Sequence, residues 1–238
     1  MIPAEAALGV AGAAGSAAAL MAYAVRGRSA TWLAPSVYRG PRHQPRVALT
    51  FDDGPTPGTL RLLEILAEER VPAAFFLCGA NVERHPRVAA AIAAAGHEIG
   101  NHSYSHPLFA FKSARFIAGE VRRAQEAIAQ AAGAAPRWFR PPYGVRWFGL
   151  RRIQREAGLG GVMWTVIGRD WKLDAESVAR RVAAGAGPGA ILCLHDGREL
   201  APAPDISATL EAVRRLIPRL RQRGLEFATL SSMVCPKT

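Results

Sequence analysis

Asp52 and Asp53 stand side by side in the run TFDDGP at residues 50–55, directly behind the apolar residues Val47, Ala48 and Leu49. Two like charges this close repel, so a fold that holds them together usually gives them different work. One can bind a metal while its neighbour serves as a base. Asp, Gly and Pro are also ordinary turn formers, and standing alone the motif reads as a solvated turn. His102 and His106 make a second group, HSYSH, whose spacing of four can set two imidazoles on one side of a turn. Pro107 disfavours helical backbone at His106, which places the pair at a strand-to-turn junction rather than within a helix. Two histidines and a carboxylate complete the three-ligand set of an open catalytic zinc site, and Asp53 is available for it.

Three further groups carry polar residues after apolar runs. His195 ends the run 190–194 and leads into Asp196-Gly197. Arg140 opens the turn Pro141-Pro142-Tyr143-Gly144, and Asp170-Trp171 follow the run 161–167. Each has a plain structural reading: a satisfied core histidine, a structural ion pair, a core tryptophan. Arg140 is equally suited to be the charge partner of Asp52.

The elements that must position these residues are legible as alternating patterns. Strand-like runs fall at 46–51, 73–77, 97–100, 137–140, 161–167, 190–194 and 225–229, with amphipathic helical segments at 59–69, 83–95, 113–132, 174–184 and 206–223. Gly96 and Gly224 close helices just before strands, and Asp174 caps the helix that starts there. Strands alternating with helices, without hairpins, predict an α/β fold: a distorted or incomplete (β/α) barrel of about seven parallel strands. Five of those seven strands deliver a reactive residue at the C-terminal end, the rim where α/β barrels build active sites. That convergence favours an enzyme.

Composition bounds the remainder. The chain has 238 residues, half of them hydrophobic, which is ample for one folded domain and unlike a disordered chain. The net charge is +11, and 27 of the 30 basic residues are Arg; a GC-rich genome is the first explanation of that bias, and a basic surface favouring anionic partners such as membranes or cell-wall polymers is the other. Basic residues are not interleaved with aromatics in any binding motif, which sets nucleic acid aside. Cys78, Cys193 and Cys235 lack CxxC spacing, and the first two read as small buried hydrophobes. Residues 6–25 carry no charge and are long enough to cross a bilayer. A membrane anchor, an uncleaved or atypical signal segment and an Ala-rich soluble helix are the readings open to this segment; we expect the membrane-associated apolar helix at 1–25, a linker at 26–45 and a catalytic domain at 46–238. Arg26, Arg28, Arg39 and Arg42 follow the helix, which by the positive-inside tendency leaves the domain in the cytoplasm. A cell-wall substrate requires the opposite side, and the sequence leaves that open.

In order, TFDDGP, HSYSH, RPPYG, RDW and ILCLHD resemble the five motifs of the polysaccharide deacetylase family. These are metal-dependent N-deacetylases of carbohydrate-esterase type that act on chitooligosaccharides, chitin and peptidoglycan. The resemblance spans roughly residues 46–230. It implies a divalent metal, zinc first, held by Asp53, His102 and His106, with Asp52 as the catalytic base and Arg140 orienting it. It implies an oxyanion contact from the Tyr143 backbone N–H and apolar walls from Trp171 and Leu194 around the acetyl methyl. His195 would be the catalytic acid, tuned by Asp170. The expected activity is hydrolytic N-deacetylation of an N-acetylated glycan by a monomer in the cell envelope. A lipid-linked amino sugar, another amide, or a glycan-binding module without catalysis are the alternatives. The apolar loop at 107–111 packs under the next helix, or else meets a lipid tail or sugar.

Overall fold

The computed structural model describes residues 4–234, with side chains from residue 15 onward. Cys235 lies outside the described residues. Nine strands form among them: β1 (Ser36–Val37), β2 (Arg46–Asp52), β3 (Ala73–Leu77), β4 (Glu98–Asn101), β5 (Trp138–Phe139), β6 (Gly160–Val162), β7 (Val166–Ile167), β8 (Ile191–His195) and β9 (Glu226–Phe227). Eight run in the order β1-β6-β5-β4-β3-β2-β8-β7, while β9 pairs with the start of β2. Every strand pair is parallel. This is the expected incomplete α/β barrel, with two strands more than the expected seven.

One extra strand comes from splitting the run 161–167. Among the described residues no ladder joins β6 to β7; residues 163–165 carry the chain across the opening of the barrel. The Met163 N–H donates to Val37 O and the Thr165 N–H to Ile191 O, pinning the crossing at both ends. The other extra strand, β1, lies in the segment expected to be a linker. That expectation is corrected: Ala30 and Ala34 are buried, and β1 pairs with β6. The fully buried Arg146 guanidinium donates to Ala30 O and Gly27 O, so residues 26–45 are stitched to the domain.

A helix runs over Ala4–Arg26, as expected. The membrane-crossing reading is not supported: among the described residues no helix is long and apolar enough to cross a membrane. The physical reason is that Ala and Gly dominate it and bring little apolar surface per residue.

Side-chain alternation along β2 divides the core. Val47, Leu49 and Phe51 point outward under the helices Pro57–Glu68 and Ser207–Gln222, in the large cluster that also holds Leu62, Leu66, Leu216 and Leu220. Ala48 points inward and joins Ala74, Phe76, Val162 and Ile191, with Leu230 and Met233 plugging that end of the barrel. Thr50 and Asp52 follow on the same inward side, nearer the C-terminal rim. The expected helix at 83–95 is broken at His85-Pro86 into Gly79–Arg84 and Pro86–Ala94, because Pro86 cannot continue the preceding helix. Gly96 and Gly224 adopt the left-handed backbone expected of helix ends, and Asp174 caps its helix by accepting from the Ser177 N–H. In the 107–111 loop Phe109 is buried against Phe139, whereas Phe111 is exposed.

Candidate active site

The adjacent carboxylates diverge. Asp52 is the last residue of β2 and keeps the inward direction of Thr50. Arg140, at the end of β5, is fully buried, and its Nη1 donates to Asp52 Oδ1 at 2.5 Å and to Thr50 Oγ1 at 2.9 Å. Its Nε and Nη2 donate to Val162 O and Met163 O, both at 3.3 Å, and its plane lies 4.0 Å over the Phe76 ring. Each guanidinium nitrogen of Arg140 thereby makes a hydrogen bond, and the group fixes the Asp52 carboxylate by one oxygen.

Asp53 leaves the strand with a left-handed backbone (φ 74°) and turns toward the histidines. Its Oδ1 is 3.4 Å from His102 Nε2 and 3.1 Å from His106 Nε2, and all three side chains are buried. Its Oδ2 accepts from the Glu199 N–H at 3.0 Å, and its backbone O accepts from Asn81 Nδ2 at 2.7 Å. Burial opposes ionisation of Asp53, but positive charge at its histidine side, supplied by protonated imidazoles when no cation is bound, outweighs it and holds the carboxyl well below the usual range.

These three residues fit a divalent cation. His102 Nδ1 is 2.7 Å from Arg140 O, and a carbonyl can only accept, so Nδ1 carries the proton. The neutral ring then aims a bare Nε2 lone pair at Asp53, the orientation found in metal-ligating histidines. Asp53 Oδ1 has no hydrogen-bond partner although buried. An orphaned carboxylate oxygen facing imidazole lone pairs, with all donor atoms within 4.8 Å, calls for a cation between them.

The loop carrying the histidines is held from below. Glu120, on the helix Ala114–Ala132, accepts from the N–H groups of Tyr104 (3.1 Å) and Ser105 (2.7 Å) and from Ser105 Oγ (2.9 Å). The His106 N–H donates to Ser103 Oγ, and the His106 backbone is left-handed (φ 52°).

His195, at the end of β8, faces the carboxylates from the other side. Its Nδ1 is 2.9 Å from Asp170 Oδ1, and its backbone N–H donates to Asp170 Oδ2 at 2.7 Å. The Thr209 hydroxyl donates to the same Oδ2. Burial works against the imidazolium, yet Asp170 overcomes it and raises the His195 pKa to about 9, so the ring is protonated at neutral pH. Trp171 packs edge-on against His195 at 4.7 Å. Tyr143 sits in a left-handed turn (φ 56°, ψ 11°), its ring 4.6 Å from that of His106 and its hydroxyl donating to Glu199 Oε1 at 2.7 Å.

A cavity of about 620 Å³ joins these groups, lined by Asp52, Asp53, both histidines, Tyr143, Trp164, Trp171, His195 and Glu199. Nine of the ten expected residues therefore line it or touch a residue that does. Leu194 is the correction. Side chains alternate along β8, so Leu194 points outward into the sheet–helix core beside Leu49, Phe51 and Val178. The inward residue is Cys193, whose Sγ lies 3.4 Å from Asp52 Oδ2. Burial, reinforced by the Asp52 charge, pushes its thiol well up, so it stays a protonated donor. Sequence reasoning assigned Cys193 to plain core. It also missed Glu199, Asn81 and Glu120, which hold the ligands through backbone and loop contacts. The period-two pattern of β8 was the available signal for Cys193; nothing in the sequence marked the others.

Asp196 and the glycines explain the tight turn. Asp196 is fully buried beneath Gly54, where a Cβ would come within 2.1 Å of Asp196 Oδ2. Burial raises the Asp196 pKa to about 7 against a hydrogen bond from Thr59. Among the described residues, five of the eight non-glycine residues with positive φ line the cavity (Asp53, His106, Tyr143, Arg169 and Glu199), as expected where function imposes backbone strain.

An open α/β barrel with an Asp-His-His donor set and an independent carboxylate at its C-terminal rim is the arrangement that metal-assisted hydrolysis requires. Residues 39–162 match the family model for polysaccharide deacetylase. The chain is 35% identical over 198 residues to a peptidoglycan-N-acetylglucosamine deacetylase of Bacillus cereus, covering 82% of this chain and 70% of the relative. It is 39% identical over 194 residues to a chitooligosaccharide deacetylase of Sinorhizobium fredii, covering 78% and 90%. A crystal structure of the Bc1960 peptidoglycan N-acetylglucosamine deacetylase superposes with a TM-score of 0.78 at 35% identity, covering 83% of this chain and 91% of that one. The chain belongs to the polysaccharide deacetylase family.

Proposed function

We propose that this protein hydrolyses the N-acetyl group of an N-acetylated amino sugar in a peptidoglycan- or chitin-like glycan, releasing acetate. The observation that carries the reading is the division of the adjacent pair: Asp53 turns to two imidazoles while Asp52 turns to Arg140. A divalent cation held by Asp53, His102 and His106, zinc being the ion such a set suits best, supplies Lewis acidity toward the acetamido carbonyl and the attacking water.

The residues do the remainder. Asp52, held through Oδ1, presents Oδ2 to accept a proton from the water whose oxygen bonds the acetyl carbon. The Tyr143 backbone N–H, set by its left-handed turn, is assigned to the developing oxyanion. His195 holds its proton because Asp170 takes Nδ1, and it delivers that proton from Nε2 to the departing nitrogen as the C–N bond breaks. Acetate and a free amine leave. Trp171 and Trp164 wall the cavity where the acetyl methyl sits.

All these groups come from one chain, which supports action as a monomer, and the substrate class supports a place in the cell envelope. The test is acetate release from chitin oligomers, peptidoglycan and lipid-linked N-acetylated sugars, paired with metal analysis of the purified protein. Acetate from at least one glycan, with a bound divalent ion, is expected. Glycan binding without acetate would instead favour a non-catalytic module.

A further inference from the structure

Exposed aromatic residues gather where the N-terminal helix meets the domain. Trp32 is 60% exposed, Phe111 88% and Phe148 54%. They come from three separate segments that touch. The Tyr23 and Trp32 rings meet edge-on at 6.5 Å, and Arg151 donates to Trp32 O, tying residues 31–32 to the helix Leu150–Glu156. Phe111 packs on Trp147 at 4.8 Å, Trp147 on Phe148 at 5.2 Å, and Gly149 lies against Ala114. A soluble surface rarely leaves so many large rings in water without a partner.

Charge selects the partner. Residues 20–33, 107–116 and 145–156 contain eight Arg or Lys against one carboxylate, Glu156, which pairs with Arg152, and of the eight only Arg146 is buried. Arg28, Lys112, Arg115 and Arg151 are exposed there among the rings. Aromatic residues set beside cations that far outnumber carboxylates suit the headgroup level of an anionic bilayer, where rings bury at the interface and cations meet lipid phosphates. A protein partner of matching acidity would leave the protruding Phe111 side chain to find a pocket; a bilayer accepts it without one.

We propose that this face docks on an anionic membrane surface. Arg26 also lines the catalytic cavity, so docking brings the cavity mouth to the bilayer surface. Glycan attached to or lying against the membrane would then be presented to Asp52 and His195.

The test is co-sedimentation of the full chain with phosphatidylglycerol-containing vesicles and with pure phosphatidylcholine vesicles. Binding to the anionic vesicles, weakened by salt, is expected. The triple variant Trp32→Ser, Phe111→Ser, Phe148→Ser and the double variant Lys112→Glu, Arg115→Glu should each lower the anionic-vesicle partition coefficient by roughly tenfold. Acetate release from soluble chitin oligomers is read on the same samples, and it should stay at parental level, since none of these residues lines the cavity. That readout separates failure of the docking face from failure of the deacetylase reading. Parental vesicle binding by both variants, no binding by the parent, or a stable dimer that the triple variant dissolves would overturn the proposal.

Discussion

Arg140 Nη1 stands 2.5 Å from Asp52 Oδ1, with both side chains sealed from solvent. A buried pair of this kind adds little net stability, because desolvation offsets the Coulomb gain. Its value here is directional. One carboxylate oxygen is tied down, so the other has a single orientation from which to take a proton.

Cys193 closes the same arrangement from β8, its Sγ lying 3.4 Å from Asp52 Oδ2. Cys193→Ala removes a weak donor worth about 0.5–1 kcal/mol, which corresponds to roughly two- to fivefold in rate. Steady-state kinetics should show this loss in kcat with KM and metal content unchanged. A variant as active as the parent would make Cys193 a packing residue only.

The His195–Asp170 pair sets the alkaline limb of the pH profile. Its raised pKa of about 9 means that the ion pair stabilises the fold fully below about 6.5 and is lost as pH climbs through about 9. Activity that needs the imidazolium should follow the same descent. In Asp170→Asn the limb of a kcat/KM profile should move to lower pH by about one unit or more. An unmoved limb would mean that another group is the acid.

Glu120 supports the histidine loop from the neighbouring helix. Glu120→Ala strands the Tyr104 and Ser105 N–H groups, at a cost of about 1–3 kcal/mol in stability. The loosened loop should also weaken metal affinity by roughly 10- to 100-fold. Thermal melts and a metal titration would read the two effects separately; a lower melting point with unchanged metal affinity would confine Glu120 to folding.

These residues mark how far the sequence could be read. The alternating runs placed six of the expected strands directly, because buried parallel strands are short apolar runs between turn formers. The run 161–167 looked like one strand, since hydropathy cannot register that residues 163–165 cross the barrel opening. Residues 26–45 looked like a linker because Pro, Arg and Gly dominate them, while their anchoring comes from Arg146, more than a hundred positions away. The chemical groups were legible because Asp52, Asp53, His102 and His195 fall at strand ends and His106 follows His102 at a spacing of four. Leu194 was misplaced by one residue, and one residue in a strand reverses the side-chain direction. Glu199 and Asn81 act through contacts that only the folded chain brings together.

The central claim is that Asp53 serves the metal and Asp52 the water. Asp52→Asn keeps the size of the side chain and leaves the three metal donors intact, whereas His102→Ala removes a donor. Metal content measured on the same samples as acetate release tests the division directly. We expect Asp52→Asn to hold parental metal while turnover falls by about 10²- to 10⁴-fold, and His102→Ala to lose both. Near-parental turnover in Asp52→Asn, or loss of its metal, would contradict the assignment.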